Sequence, residues 1–192
     1  EKLRKHNVQF VKKKNDELLI IINQYFKENS FSYMVDFINT FLKLMKSNQY
    51  SIEDVKNKAK QYDLTGRTNA FINVFEIIYD SYQEHLKQED KIDFSDMITN
   101  ATHYLRRRKY LSPFEYIIVD EFQDISVGRY LFIEALLQQN KQQKFFAVGD
   151  DWQSIYRFTG SDISLMLNFE PPFGKVKEKT LTRTYRFNDL LA

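Results

Sequence analysis

Two clusters in this 192-residue chain bring together residue types that can hold a cation or activate water. The first is Val119-Asp120-Glu121-Phe122-Gln123-Asp124, directly after the apolar run Tyr116-Ile117-Ile118-Val119. A hydrophobic strand that runs into Asp-Glu sets two carboxylates at the carboxyl edge of a sheet. Magnesium takes hard oxygen ligands and keeps several waters, so one or two carboxylates plus substrate phosphates can hold it. A neighbouring carboxylate outside the metal's grip can orient or deprotonate an attacking water. The competing reading is a polar turn that merely ends a strand.

The second cluster is Val148-Gly149-Asp150-Asp151-Trp152-Gln153-Ser154-Ile155-Tyr156-Arg157-Phe158-Thr159-Gly160, again after a strand-like run, Phe145-Phe146-Ala147-Val148. A glutamine at a strand end can sense a terminal phosphate by hydrogen bonding. Exposed aromatics beside a cation can stack on unpaired bases; the alternative is that Trp152, Tyr156 and Phe158 pack into a core beneath a loop. A third segment, Leu181-Thr182-Arg183-Thr184-Tyr185-Arg186-Phe187, carries arginines able to clamp a phosphate, or simply exposed at a helix start. The basic run Arg106-Arg107-Arg108-Lys109 is best read as a solvated helix C-terminus, where the dipole favours cations, ahead of a role on DNA phosphates.

The elements that must position these residues change character near Pro113. Residues 1–112 contain one glycine, Gly66, and no proline, whereas 113–192 hold the other four glycines and all three prolines. Apolar residues at helical spacing run through Met34, Val35, Ile38, Phe41, Leu42 and Met45, and again through Phe71, Val74, Phe75, Ile78, Tyr79 and Tyr82. Ser51 with Glu53 and Asp54 reads as a helix N-terminus. Asp93-Phe94-Ser95-Asp96-Met97 predicts another, running through Tyr104 and Leu105. In the second part, strands at 116–119 and 145–148 flank a helix-spaced segment through Tyr130, Ile133, Glu134 and Leu137. That is a βαβ unit, with its ligand side at the carboxyl ends of strands expected to be buried on both faces. The expectation is therefore α/β: a helical part, 1–112, followed by a parallel-sheet part, 113–192.

Composition narrows the function classes. There is no cysteine, so disulfides and thiolate metal sites are excluded, and three scattered histidines (His6, His85, His103) do not suggest a transition-metal centre. The longest aliphatic run, Leu18 to Ile22, is far short of a membrane span, and no leader pattern stands at the N-terminus. A cytoplasmic chain with no membrane partner is the economical expectation. The net charge of +2 permits nucleic-acid binding without requiring it. A start at Glu1 and a stop at Ala192 suggest a piece of a longer protein.

Taken together, in this order and spacing, the three clusters resemble superfamily 1 helicases of the UvrD/Rep type, most closely the helicase IV (HelD-like) branch. DEFQD looks like a Walker B motif, GDDWQSIYRFTG like the motif that links the nucleotide site to single-stranded DNA, and LTRTYRF like the motif Leu-x-x-Asn-Tyr-Arg. The likeness is strong over 114–192 and extends more weakly through Ile92-Asp93-Phe94-Ser95-Asp96. It implies a partial RecA-like (P-loop NTPase) lobe preceded by a mainly α-helical insertion. The cofactors implied are ATP and Mg2+, and the partners single-stranded and duplex DNA, with RNA polymerase or repair proteins as further ones. Asp120 and Glu121 would stand at the magnesium, Asp120 holding it and Glu121 also activating the water. Gln153 and Arg186 would contact the γ-phosphate, and Tyr185 would stack on adenine. Tyr156, Arg157 and Phe158 would lie along the DNA track.

There are departures from the family pattern. Phe158 stands where relatives often have tryptophan, Thr159 where an arginine often follows, Arg157 where glycine is common, and Thr184 where asparagine is usual. No G-x-x-x-x-G-K-[ST] loop, the backbone cradle for phosphates, occurs in the sequence. The expectation is thus an internal segment, inactive alone, of a 3′ to 5′ ATP-dependent DNA helicase. The alternatives are an ATP-driven remodeller of a complex such as RNA polymerase, the motor of a helicase–nuclease, and a degenerate paralogue that binds DNA without hydrolysis.

Overall fold

A computed structural model describes residues 30–62, 66–140, 142–169, 173 and 176–183. Among the described residues four helices come first: α1 (Ser30–Ser47), α2 (Ile52–Tyr62), α3 (Arg67–Gln88) and α4 (Phe94–Arg106). Then follow β1 (Tyr116–Val119), α5 (Val127–Leu137), β2 (Lys144–Ala147) and a single-turn helix, α6 (Ser164–Leu167). Single 3-10 turns stand at Phe122–Asp124, Asp151–Gln153 and Arg157–Thr159.

The helix starts are written locally. At α2, Ser51 and Asp54 form a capping box: the Asp54 amide donates to Ser51 Oγ (3.1 Å), and the Ser51 amide donates to Asp54 Oδ2 (2.8 Å). At α4, Asp93 is the N-cap and accepts from the Asp96 amide at 2.8 Å. Both starts match the sequence expectation.

Packing selects which apolar stripe is used. On α3 the buried residues are Ile72 and Phe75, each 1% exposed, while Val74 and Ile78 remain open. The expected stripe is thus rotated toward α1, whose Phe41 ring meets Phe75 edge-on at 4.7 Å and Phe71 at 5.1 Å. Such pairs add about 0.5–1.5 kcal/mol beyond burial. At the end of α1, the Lys46 side chain is only 8% exposed and lies 2.5 Å from Asp93 and 2.7 Å from Asp96. Tyr82 on α3 donates to the same Asp93 carboxylate at 3.0 Å. One lysine therefore ties three helices together.

β1 and β2 pair in parallel, Tyr116 opposite Lys144 through Val119 opposite Ala147, with α5 as the crossover. The βαβ unit is as expected, except that β2 begins and ends one residue earlier than 145–148. Burial on two faces is not what the structure shows. Ile117, Val119, Phe145 and Ala147 pack beneath α5 against Phe122, Ile125 and Ile133, whereas Tyr116 (60%), Ile118 (71%) and Phe146 (60%) are exposed. Strand side chains alternate between faces, and among the described residues only one face is covered. Phe122, 1% exposed, anchors the covered side, a burial that contributes about 2–3 kcal/mol.

Candidate functional site

Parallel pairing sets the carboxyl ends of β1 and β2 side by side, so the chain following Val119 and the chain following Ala147 leave the sheet together. Backbone bonds fix the join: the Val148 amide donates to Val119 O (2.9 Å), and the Phe122 amide donates to Val148 O (2.8 Å). Asp120 and Glu121 follow β1 directly and are exposed. Glu121 adopts φ 52°, ψ 46°, a left-handed conformation uncommon for a side-chain-bearing residue. Its amide donates to Asp120 Oδ1 at 2.9 Å. This kink ends the strand and starts the turn that buries Phe122 and Gln123.

Gln123 is 1% exposed and joins the two clusters. Its Nε2 donates to Glu121 Oε2 (2.6 Å), and its Oε1 accepts from the Asp150 amide (3.0 Å). Asp150 in turn caps the next turn, accepting from the Trp152 amide through Oδ1 (3.1 Å) and from Gln153 Nε2 through Oδ2 (2.5 Å). Asp120, Glu121, Asp150 and Gln153 thus occupy one end of the sheet on a continuous polar chain.

On either side of Gln153 the chain presents aromatic side chains to solvent. Trp152 is 92% exposed, Phe158 69% and Tyr156 46%, with the Tyr156 and Phe158 rings 6.0 Å apart. Arg157 between them is exposed too. The core-packing alternative for these three aromatics is therefore set aside. The loop is held from behind: Ser126 and Ser161 form an antiparallel bridge, and the Asp162 amide donates to Ile125 O at 2.9 Å. Behind it a cavity of about 250 Å³ opens toward α1 and α4, lined among others by Lys46, Asp124, Arg129 and Ser161.

Among the described residues no group of three or more His, Asp or Glu side chains could hold a metal alone. One or two carboxylates with waters and phosphate oxygens is the arrangement magnesium uses, and Asp120 presents an exposed carboxylate whose Oδ2 has no partner among the described residues. The donor set fits that cation.

The family model for the UvrD/REP helicase N-terminal domain matches residues 2–174. The chain belongs to the UvrD/REP helicase family. It is 48% identical over 103 residues to DNA helicase IV of Escherichia coli (strain K12), covering 54% of this chain and 15% of that protein. It is 36% identical over 114 residues to the putative ATP-dependent DNA helicase YjcD of Bacillus subtilis (strain 168), covering 57% and 15%. To the ATP-dependent DNA helicase PcrA of Staphylococcus epidermidis it is 32% identical over 143 residues, covering 71% and 19%. The chain therefore spans under a fifth of the length of these relatives.

Of the residues the UvrD/REP resemblance assigns, Asp120, Glu121 and Gln153 meet at one sheet end, and Tyr156, Arg157 and Phe158 lie on the loop that leaves it. Tyr185 and Arg186 lie outside the described residues. The basic run stands at the other end: Gln139, just past α5, donates from Nε2 to Leu105 O and Tyr110 O, close to the amino end of β1. Arg106 there pairs with Glu134 at 3.4 Å, in keeping with a helix C-terminus. Two residues escaped the sequence reading. Gln123 lay inside DEFQD without a role, and Lys46 gave no local signal because its partners are about fifty positions away.

Proposed function

We propose that this segment is the later half of a RecA-like lobe (113–192) with a helical insertion (1–112), from a cytoplasmic ATP-dependent DNA helicase that moves 3′ to 5′ on single-stranded DNA. The observation that carries the proposal is the polar chain from Glu121 through Gln123 and Asp150 to Gln153, which continues into a loop of exposed aromatics. Membership of the UvrD/REP family and likeness to DNA helicases support it.

In this reading MgATP supplies the bond to be broken and a cation that offsets charge on the transferred phosphoryl group. Asp120 holds the cation. Glu121 orients water and takes its proton, while Gln153 hydrogen-bonds the terminal phosphate oxygen. Arg186 adds positive charge there, and Tyr185 stacks on the base. Tyr156 and Phe158 stack on DNA bases, with Arg157 the nearby cation. Closing and reopening of the nucleotide site would shift this loop and step the strand past it. Without the Gly-x-x-x-x-Gly-Lys-Ser/Thr cradle, the 192 residues by themselves neither hydrolyse ATP nor unwind DNA.

Strand displacement by the full-length protein tests this. A duplex with a 3′ single-stranded tail is expected to be unwound in an ATP-dependent way, and one with a 5′ tail is not. Phe158→Ala with Tyr156→Ala should weaken single-stranded DNA binding by about 2–6 kcal/mol in sum. No unwinding of either duplex, with binding indifferent to these substitutions, would refute the reading.

A further inference from the structure

Gln123 is an odd residue to bury. A carboxamide taken from water without partners is costly, yet this one is 1% exposed and both ends of its amide are engaged. Nε2 donates to Glu121 Oε2 at 2.6 Å, leaving Glu121 Oε1 without a partner among the described residues. Oε1 accepts from the Asp150 amide at 3.0 Å, and the Gln123 carbonyl accepts from Ser154 Oγ at 3.5 Å. The surrounding chain is shaped to this side chain. Residue 149 is glycine, and a β-carbon there would stand 2.8 Å from Gln123 Oε1.

We infer that Gln123 is a positioning residue that couples the two halves of the site. Its amide N–H fixes one oxygen of the Glu121 carboxylate, so the other faces the water. Its amide oxygen fixes Asp150, which fixes Gln153 and the root of the Trp152–Phe158 loop. A shift at Asp150 or Gln153 is thereby felt at Glu121, and a base stacked on the loop changes how well Glu121 is aimed. The rate with DNA bound and the rate without it are set through this one side chain. This rests on the proposed roles of Glu121 and the aromatic loop.

The test separates the two bonds in the full-length protein. Gln123→Glu keeps an oxygen for the Asp150 amide and sets a second carboxyl group against Glu121 in place of the neutral amide donor. It is expected to lower kcat for ATP roughly 10–100-fold, as misaimed catalytic groups do, with KM within about threefold. Gln123→Leu removes both bonds, and the ratio of DNA-stimulated to basal rate is expected to fall to about one, the value for a decoupled site. Measured at saturating DNA, a ratio of rates does not change when a fraction of the molecules is unfolded or binds DNA more weakly, so this readout separates coupling from loss of folded protein. A wild-type ratio in Gln123→Leu, or unaltered kcat in Gln123→Glu, overturns the inference. Glu121→Gln run in parallel tells which idea has failed. If it too keeps full activity, the assignment of Glu121 is wrong. If it is dead while the Gln123 variants are normal, only the coupling is wrong.

Discussion

A β-carbon at Gly149 would stand 2.8 Å from Oε1 of Gln123, 3.1 Å from its amide nitrogen and 3.2 Å from Met166 Sδ. Two of the three obstacles belong to Gln123, which is 1% exposed and hydrogen-bonded at both ends of its amide. Gly149→Ala is therefore expected to cost about 1–3 kcal/mol, as overpacking does. Chemical denaturation would measure it, and a change below about 0.5 kcal/mol, the scatter of harmless surface changes, would show the contact to be soft. Asp93 invites a second test. Burial alone would raise its carboxyl, but the Lys46 ammonium, the Asp96 amide and the Tyr82 hydroxyl outweigh it, and the net shift is downward. A lowered folded-state value contributes stability above the unfolded value of about 3.9, lost as pH falls through the folded value. Tyr82 runs the other way: burial, then the Asp93 hydrogen bond and charge, push its hydroxyl up to about 12. Its contribution is complete below the unfolded value of about 10 and disappears as pH rises through the folded value. Melting temperatures of wild type and Asp93→Asn from pH 7 to 3 should converge at the acid end. Parallel curves would show that the Lys46 network does not drive acid unfolding.

Among the elements, the aromatic loop depends on its seat. Gly160 is buried with φ +97°, and a β-carbon there would fall 2.2 Å from Ser47 Oγ at the end of α1. Gly160→Ala should cost about 1–2 kcal/mol for the left-handed backbone alone, with the clash added, and should weaken single-stranded DNA binding by the full-length protein. Gly160→Ala with Ser47→Ala should relieve the Oγ clash, leaving a tight 3.1 Å contact with the residue 47 β-carbon and the backbone strain. Full recovery in that pair would mean that the conformation itself is free of cost. The helices and strands were legible because their signals are local. Ser51 with Asp54 and Asp93 with Asp96 cap within one turn, and the runs at 116–119 and 145–148 are too apolar for a loop. What was not legible is long-range. Tyr116-Ile117-Ile118-Val119 is apolar at every position, so the string cannot reveal that α5 covers only Ile117 and Val119. The exposed face of Trp152, Tyr156 and Phe158 was equally undetermined, since aromatic residues serve cores and surfaces alike. Gln123 meets Asp150 across 27 positions, and Lys46 meets Asp93 across 47.

At the scale of the molecule, the described residues leave open an apolar sheet face, which soluble monomers rarely do. Tyr116, Ile118 and Phe146 stand side by side on β1 and β2, all at least 60% exposed. Among the described residues the sheet has two strands, and its unpaired edges add a template for pairing. The isolated 192-residue chain is thus expected to self-associate as concentration rises, with Ile118→Lys reducing that association without loss of helix content. Sedimentation at several concentrations would measure it, and a strictly monomeric wild type would contradict the prediction. The same exposure fits a segment that covers under a fifth of its relatives' length. The central claim is that the carboxylates after β1 and the aromatic loop after β2 form one DNA-coupled ATPase site. It is tested most directly by the ATP hydrolysis rate of the full-length protein, with and without single-stranded DNA, beside Glu121→Gln. The account predicts strong stimulation by DNA and loss of about 10²–10⁴-fold in the variant, the range for a removed general base. A rate indifferent to DNA, or a Glu121→Gln variant as fast as wild type, would contradict it.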